Sequence, residues 1–365
     1  MNVNFVLLCS IIMIPMIFFV PIMYINCYPE TKTNQYLASM LVALLVAIGC
    51  WLLFGNTETF NFIPTKMQLI PINPSISMIA QLCFYLYSVV MFTGTILQRV
   101  TWRFFIAFIP IWTLLVYAPI ANLMWSENGL LFKLGALDFS GGLVVHLTAG
   151  LTSLVLSWFV TNRKVKQPRN RTIEDYIAVF FILTGWFGFN LAPASSFSNH
   201  GVLIMTNTLI AVIGATIGWI SYQSRIQQLT LSGLTSGIIC GLVTSTALVA
   251  YVSNFAMLVV SVISGITCHY FANKLANTRF IDPVDSFAVN GVGGVIGTFG
   301  LIIFASPNVN QAGAAGILTG NFRFSIVELL ALITTIVITL IGCIISYWVT
   351  SKLTTLNPVI ITDKA

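Results

Sequence analysis

Eleven long apolar runs govern what this chain can fold into. They cover roughly residues 4–25, 36–55, 75–97, 104–124, 138–160, 174–194, 201–222, 230–250, 254–273, 285–305 and 325–350. A helix needs about 20 apolar residues to cross a bilayer. The hydrocarbon core offers no water to the backbone, so each run must satisfy its own N–H and C=O groups, which a helix does. The expected fold is therefore an all-α polytopic membrane protein of eleven transmembrane helices. Composition agrees: 57% of the 365 residues are hydrophobic and 7% charged, against about 25% charged in soluble domains. The first run has the length of a signal peptide. It lacks a basic n-region and an obvious small-residue cleavage site, so it is read as a helix of the mature protein.

The basic residues orient the bundle. Arg163, Lys164, Lys166, Arg169 and Arg171 crowd the link between runs five and six, and Arg99, Arg103, Arg225, Lys274, Arg279, Lys32, Lys352 and Lys364 fall on the same side. The opposite loops hold only Lys66, Lys133 and Arg323. Thirteen against three is a strong positive-inside bias and predicts an N-out, C-in topology. An odd number of spans satisfies it. The net charge of +6 lies in these short loops and does not point to nucleic acid. The seven cysteines mostly sit within apolar runs with no CxxC pair, so they read as packing residues, with no metal site or disulfide framework.

Two runs resemble each other. Run five begins ALDFSGGLVVHLTAG and run ten DPVDSFAVNGVGGVIGTFG. Each carries an aspartate, Asp138 or Asp285, then a phenylalanine and a glycine-rich patch around one polar side chain, His146 or Asn290. They lie five spans apart, so their helices run in opposite directions. This is the pattern of a five-plus-five inverted repeat followed by a final helix, with a site near the midplane where the repeats meet. His146 lies about 12 Å down its helix from Asp138, at 1.5 Å per residue. There it must face protein or a water-filled path. It is read either as a functional pore group or as a histidine gluing neighbouring helices. His200 and His269 fall near membrane edges and read as ordinary interfacial residues. No nucleophile–base pair, metal cluster or phosphate loop appears, so neither enzymatic activity nor a cofactor is expected.

ALDFSGGLVVH (136–146), GWFGFN (185–190), YAPIANLMW (117–125) and DPVDSFAVNGVGG (282–294), with eleven N-out spans, resemble the Amt/Mep/Rh ammonium transporters, on the Amt side. The resemblance covers roughly residues 75 to 350. It implies a homotrimer with one pore per subunit and ammonium or ammonia as substrate. Trp125 and Phe84 match the aromatic vestibule that recruits the cation, where a cation–π contact is worth roughly 0.5–2 kcal/mol. Phe84 and Phe189 match the stacked phenylalanine gate. Asp138 matches an aspartate that orders the vestibule backbone, a role its place at a helix start also suggests. Ser236 and Thr246 resemble polar residues near the pore, and they read equally as helix-packing hydroxyls. His146 matches the first of the family's twin pore histidines, which are thought to relay a proton while ammonia passes. An apolar pore makes a bare cation expensive and favours deprotonation. Potassium has no proton to lose.

The sequence departs from the family in its pore. Asn290 replaces the second histidine, and asparagine hydrogen-bonds but does not titrate. Pro193 stands where a small hydroxyl is usual, Ala80 where an outer phenylalanine is usual, and FFVPIMYINC (18–27) replaces a glycine-rich end of span one. Residues 1–350 read as one transmembrane domain and 351–365 as a short cytoplasmic tail, which argues against a PII-type regulatory partner. The expected function is ammonium or ammonia transport across a bacterial cytoplasmic membrane through an altered pore. The alternatives are a sensor that binds ammonium without conducting it, and a pore for another small neutral solute.

Overall fold

A computed structural model describes residues 2–60, 75–160, 172–225, 228–278, 280, 282–320 and 322–353. The basic run 163–171, Lys66, Arg279, Lys364 and the tail from 354 lie outside the described residues. Among the described residues eleven helices are long and apolar enough to cross a membrane: α1 Val3–Ile25, α2 Glu30–Gly55, α3 Ile76–Ile96, α4 Trp102–Leu134, α5 Gly142–Val160, α6 Ile173–Ala194, α7 Asn199–Gln223, α8 Leu231–Leu248, α9 Asn254–Ala276, α10 Phe287–Phe304 and α11 Phe322–Leu353. No β-strand occurs among those residues.

Several helix starts follow from single polar residues. Asn2, Ser75, Thr230 and Ser253 each accept a hydrogen bond from a backbone N–H three residues on, which satisfies one of the orphan donors of a first turn. The largest difference from the sequence reading is α4. The run ends as expected near Trp125, but the chain then turns through Ser126–Gly129 and forms a further short helix, Leu130–Leu134. Gly135, with φ 94°, closes that helix, a left-handed position suited to glycine.

The bundle is apolar on its outside as well as within. Leu45, Ile213, Ile333 and Ile341 are exposed, because lipid rather than water faces them. Association of such helices depends on close packing more than on the hydrophobic effect, and glycines provide it. α5 and α10 cross at the centre. A Cβ added to Gly150 would lie 2.2 Å from the Gly291 nitrogen, and one on Gly294 would lie 2.5 Å from the Gly142 oxygen. No other residue permits that approach.

α5 and α10 also begin alike. Each opens with a π-helical stretch, Gly142–Leu147 or Phe287–Val292, an irregularity that often marks a functional site. A carboxylate caps each. Asp138 Oδ2 accepts from the N–H groups of Leu143 and Val144 at 3.0 and 2.9 Å. Asp282 Oδ2 accepts from Phe287 N–H at 2.8 Å. The counterpart of Asp138 is thus Asp282, not the expected Asp285. The geometry decides this: Asp282 reaches five residues forward, as Asp138 does, whereas Asp285 has a left-handed φ of 52°.

Candidate transport pore

A line of aromatic and polar side chains runs through the bundle between cavities on its two sides. The first cavity, about 340 Å³, is lined by Ala80, Phe84, Trp125, Phe139, Pro193 and Ser195 among others. Two of the positions where the sequence departs from its family, Ala80 and Pro193, therefore face this vestibule. Trp125 does not hang free in it: the indole Nε1–H donates to the Asp138 carbonyl at 2.8 Å. Asp138 thus holds the mouth from both ends, through its carboxylate to the start of α5 and through its carbonyl to Trp125. Gly141, with φ 99°, allows the chain to turn between them, and a Cβ there would lie 2.4 Å from Val145 Cγ2.

Phe84 lines this cavity and forms its floor. Its ring lies 5.6 Å from Trp125 and 4.4 Å from Phe189, inclined at 59° to the latter. Both phenylalanines are buried, so the passage is closed at this level. His146 comes next. Its ring lies 5.9 Å from Phe189 and stacks on Trp186 at 5.3 Å with an interplanar angle of 14°. Tyr87 closes another side at 6.0 Å.

His146 Nδ1 and Asn290 Oδ1 are 3.0 Å apart. The surrounding bonds fix which atom donates. Asn290 Nδ2 donates to Ser286 Oγ at 3.3 Å, and Ser286 Oγ donates to the Met91 carbonyl at 3.0 Å. The amide oxygen is therefore the atom facing the imidazole, and Nδ1 must carry the proton. That leaves Nε2 of a neutral imidazole as an acceptor. It is buried and has no hydrogen-bond partner among the described residues. Such atoms are rare in folded proteins, and this one is free to accept a hydrogen bond from an N–H donor.

Beyond Asn290 lies a small chamber of about 40 Å³, lined by Tyr24, Tyr87, Ser236, Ile239, Val289 and Asn290 among others. It has room for a water or ammonia molecule. Ser236 also lines a larger cavity of about 230 Å³ at the opposite mouth. The structure thus brings Trp125, Phe84, Phe189, His146, Asn290 and Ser236 into one series. Thr246 stands apart. Its hydroxyl donates to the Val243 carbonyl and its own carbonyl accepts from Ser140 N–H at 2.8 Å, which ties α8 to the loop carrying Asp138.

Sequence reasoning missed four contributors. Trp186 lies one turn before Phe189 in GWFGFN, so it shares that residue's face. Ser286 orients Asn290. Glu328, within α11, is fully buried, and its Oε2 accepts from Leu137 N–H at 2.9 Å. An acid in a membrane span is a functional candidate by default, so this signal was available. His269, read as interfacial, is 6% exposed: α9 turns it inward against Trp219 and Tyr222.

A bundle of membrane helices with a largely apolar line of buried rings between two cavities, and an unpartnered His146 nitrogen in that line, is the architecture of a channel or carrier for a small solute. The chain matches the model of the Ammonium Transporter Family over residues 4–360 and belongs to that family, whose members are transport proteins rather than enzymes. The ammonium transporter of Bacillus subtilis is 32% identical over 268 residues, which span 72% of this chain and 66% of that protein. Ammonium transporter Amt1 of Archaeoglobus fulgidus is 27% identical over 356 residues, 92% of this chain and 88% of that protein. The crystal structure of Saccharomyces cerevisiae Mep2 superposes with a TM-score of 0.87 at 22% identity, covering 100% of this chain and 92% of that one. The fold is thus shared almost end to end, at a sequence distance that leaves the pore free to differ.

Proposed function

We propose that this chain carries ammonium or ammonia across a bacterial cytoplasmic membrane, as one subunit of a homotrimer with a pore in each subunit. Residues 1–350 form the transmembrane domain in an N-out, C-in orientation. Trp125 and Phe84 recruit the cation at the outer mouth, Phe84 and Phe189 gate, and His146 with Asn290 lines the conducting path. Asp138 orders the vestibule. Ser236 lines the inner chambers, and Thr246 braces the loop that carries Asp138. The observation that carries this reading is the hydrogen-bonded His146–Asn290 pair directly beyond the Phe84–Phe189 rings.

In this pore His146 takes the hydrogen bond, or the proton, of an arriving ammonium on Nε2. Asn290 holds the imidazole in the tautomer that makes Nε2 available. It offers no second titratable site, so a proton on His146 has no imidazole neighbour to receive it. The same observation favours a second reading, a protein that binds ammonium and conducts little or no charge.

Currents across proteoliposomes after an ammonium pulse test both, in wild type and in Asn290→His. We expect uptake of methylammonium without a current in wild type, and a current in Asn290→His. A wild-type current would mean that charge crosses without a second imidazole. Absence of both uptake and current in wild type, with binding retained, would leave the sensor reading in place of transport.

A further inference from the structure

The stretch FYLY (84–87) of α3 holds two tyrosines with different surroundings. Tyr85 spends its hydroxyl on Thr113. Tyr87 lies three residues after Phe84, so it shares the face that carries the gate. Its ring packs 5.2 Å from Trp186 and 5.4 Å from Phe189 and stands edgewise to His146. Packing alone needs only a phenylalanine there. The hydroxyl of a buried tyrosine usually finds a partner, as those of Tyr24 and Tyr28 do on the Met91 and Gly94 carbonyls. That of Tyr87 has none among the described residues, although the side chain is only 2% exposed. Unlike the hydroxyl of Tyr117, which is sealed in the packing, it keeps surface of its own. The space that Tyr87 lines is the chamber of about 40 Å³ beyond Asn290.

The polar groups of that chamber are few and most are committed. Asn290 turns its oxygen to His146 and gives an amide hydrogen to Ser286. Tyr24 gives its hydroxyl hydrogen to Met91. Two hydroxyls of the lining stay uncommitted among the described residues, those of Tyr87 and Ser236. No carboxylate, ammonium or guanidinium group of the described residues lines the chamber. An isolated ion is therefore expensive in it, and a potassium ion has no means of shedding its charge. A small neutral amine complements the chamber. Beside its N–H groups it carries one lone pair, and that pair needs a donor. A tyrosine O–H, free to rotate, is such a donor.

We propose that Tyr87 is a further transport residue, whose hydroxyl donates a hydrogen bond to the lone pair of the neutral amine delivered by His146 and seats it in this chamber. The site rests on the reading of ammonium as substrate and of His146 Nε2 as its proton acceptor. At that nitrogen one N–H bond of the cation breaks and the Nε2–H bond forms, and the electron pair of the broken bond stays on the amine. That pair is the acceptor that Tyr87 O–H meets one step further on. The amine takes a proton from water at the far mouth, and Nε2 returns its own to the side it came from, which matches uptake without a current. Ser236, which lines both this chamber and the wider cavity beyond it, is the next hydroxyl along the path.

The test compares wild type with Tyr87→Phe, as the full chain, in nanodiscs for spectroscopy and in proteoliposomes for uptake. Phenylalanine keeps the ring and removes one oxygen. A carbon-13 label at tyrosine Cζ reports the hydrogen bond of each hydroxyl. Of the chain's eleven tyrosines, the signal lost in Tyr87→Phe is that of Tyr87. Methylammonium chloride and potassium chloride are titrated in parallel. The proposal expects a saturable shift of the Tyr87 signal with methylammonium and none with potassium. It expects Tyr87→Phe to lower the maximal uptake rate about tenfold, the worth of one hydrogen bond, and to leave the half-saturating concentration within about twofold, because recruitment happens outside the gate. The remaining tyrosine signals are expected to keep their wild-type positions in the variant. A slower variant in which they move overturns the proposal in favour of a packing role. A Tyr87 signal that never moves in protein that takes up methylammonium, or a Tyr87→Phe rate equal to wild type, overturns the seat and leaves the transport reading intact. An equal shift with potassium overturns the assignment to a neutral amine. A shift specific to methylammonium in protein that takes up none keeps the site and replaces transport with binding. Neither shift nor uptake overturns the transport reading, and the site with it.

Discussion

Asn290 differs from an imidazole in the property that matters most at this depth: it does not change charge. Its amide still performs two structural tasks, accepting from His146 Nδ1–H and donating to Ser286. Replacing it with leucine, similar in volume, removes both. His146 is fully buried, so its Nδ1–H finds no water in exchange. A buried donor left unpaired costs about 1–3 kcal/mol. Asn290→Leu is therefore expected to lower the thermal unfolding midpoint in detergent by several degrees, and Asn290→His by much less, because histidine offers a bonding partner. Equal midpoints for wild type and the leucine variant would mean that the imidazole has another partner. The sequence made this pair visible, since two isolated polar residues in matched apolar segments leave few alternatives. It did not make the tautomer visible, because that depends on Ser286 and on the Met91 carbonyl of a different helix.

Secondary-structure elements matter here chiefly at their irregular ends. α5 and α10 both begin in π-helical geometry behind a carboxylate, and the polar residue of each follows eight positions after its cap. That spacing holds for Asp282 and Asn290 as for Asp138 and His146. The repeated glycines and aspartates were legible in the sequence, but the choice between Asp282 and Asp285 was not. Two acids three residues apart look alike until the backbone shows which one reaches the free N–H groups. The loop before α5 has a further brace in Glu328, whose carboxylate accepts from Leu137 N–H. Glu328→Ala leaves that N–H without a partner and frees the loop carrying Asp138, whereas Glu328→Gln keeps an acceptor. Methylammonium uptake, normalised to protein in the membrane, is expected to fall about tenfold or more in the alanine variant and a few-fold at most in the glutamine variant, a tenfold change being about 1.4 kcal/mol. Similar losses in both variants would mean that the charge of Glu328 matters and not its bond to Leu137.

At the scale of the whole molecule, each of the eleven predicted runs corresponds to one helix of the bundle, because hydrophobic length is a property of contiguous sequence. Side-chain direction is not, which is why His269 read as interfacial and proved buried. The aromatic order Trp125, Phe84, Phe189 likewise comes from three helices meeting, α4, α3 and α6, and appears in no single segment. Orientation depends on loop charge relative to a bilayer, so it is tested on the membrane itself. Glu127 lies in the exposed turn of α4 and Leu229 is exposed between α7 and α8; three crossings, α5, α6 and α7, separate them, so they fall on opposite sides of the bundle. Six of the seven native cysteines are buried and Cys27 is half-buried, so a Cys27→Ser background is quiet toward a membrane-impermeant maleimide. The N-out reading expects Glu127→Cys to label in intact cells and Leu229→Cys only after permeabilisation. The reverse pattern would invert the molecule and place Trp125 at the cytoplasmic mouth.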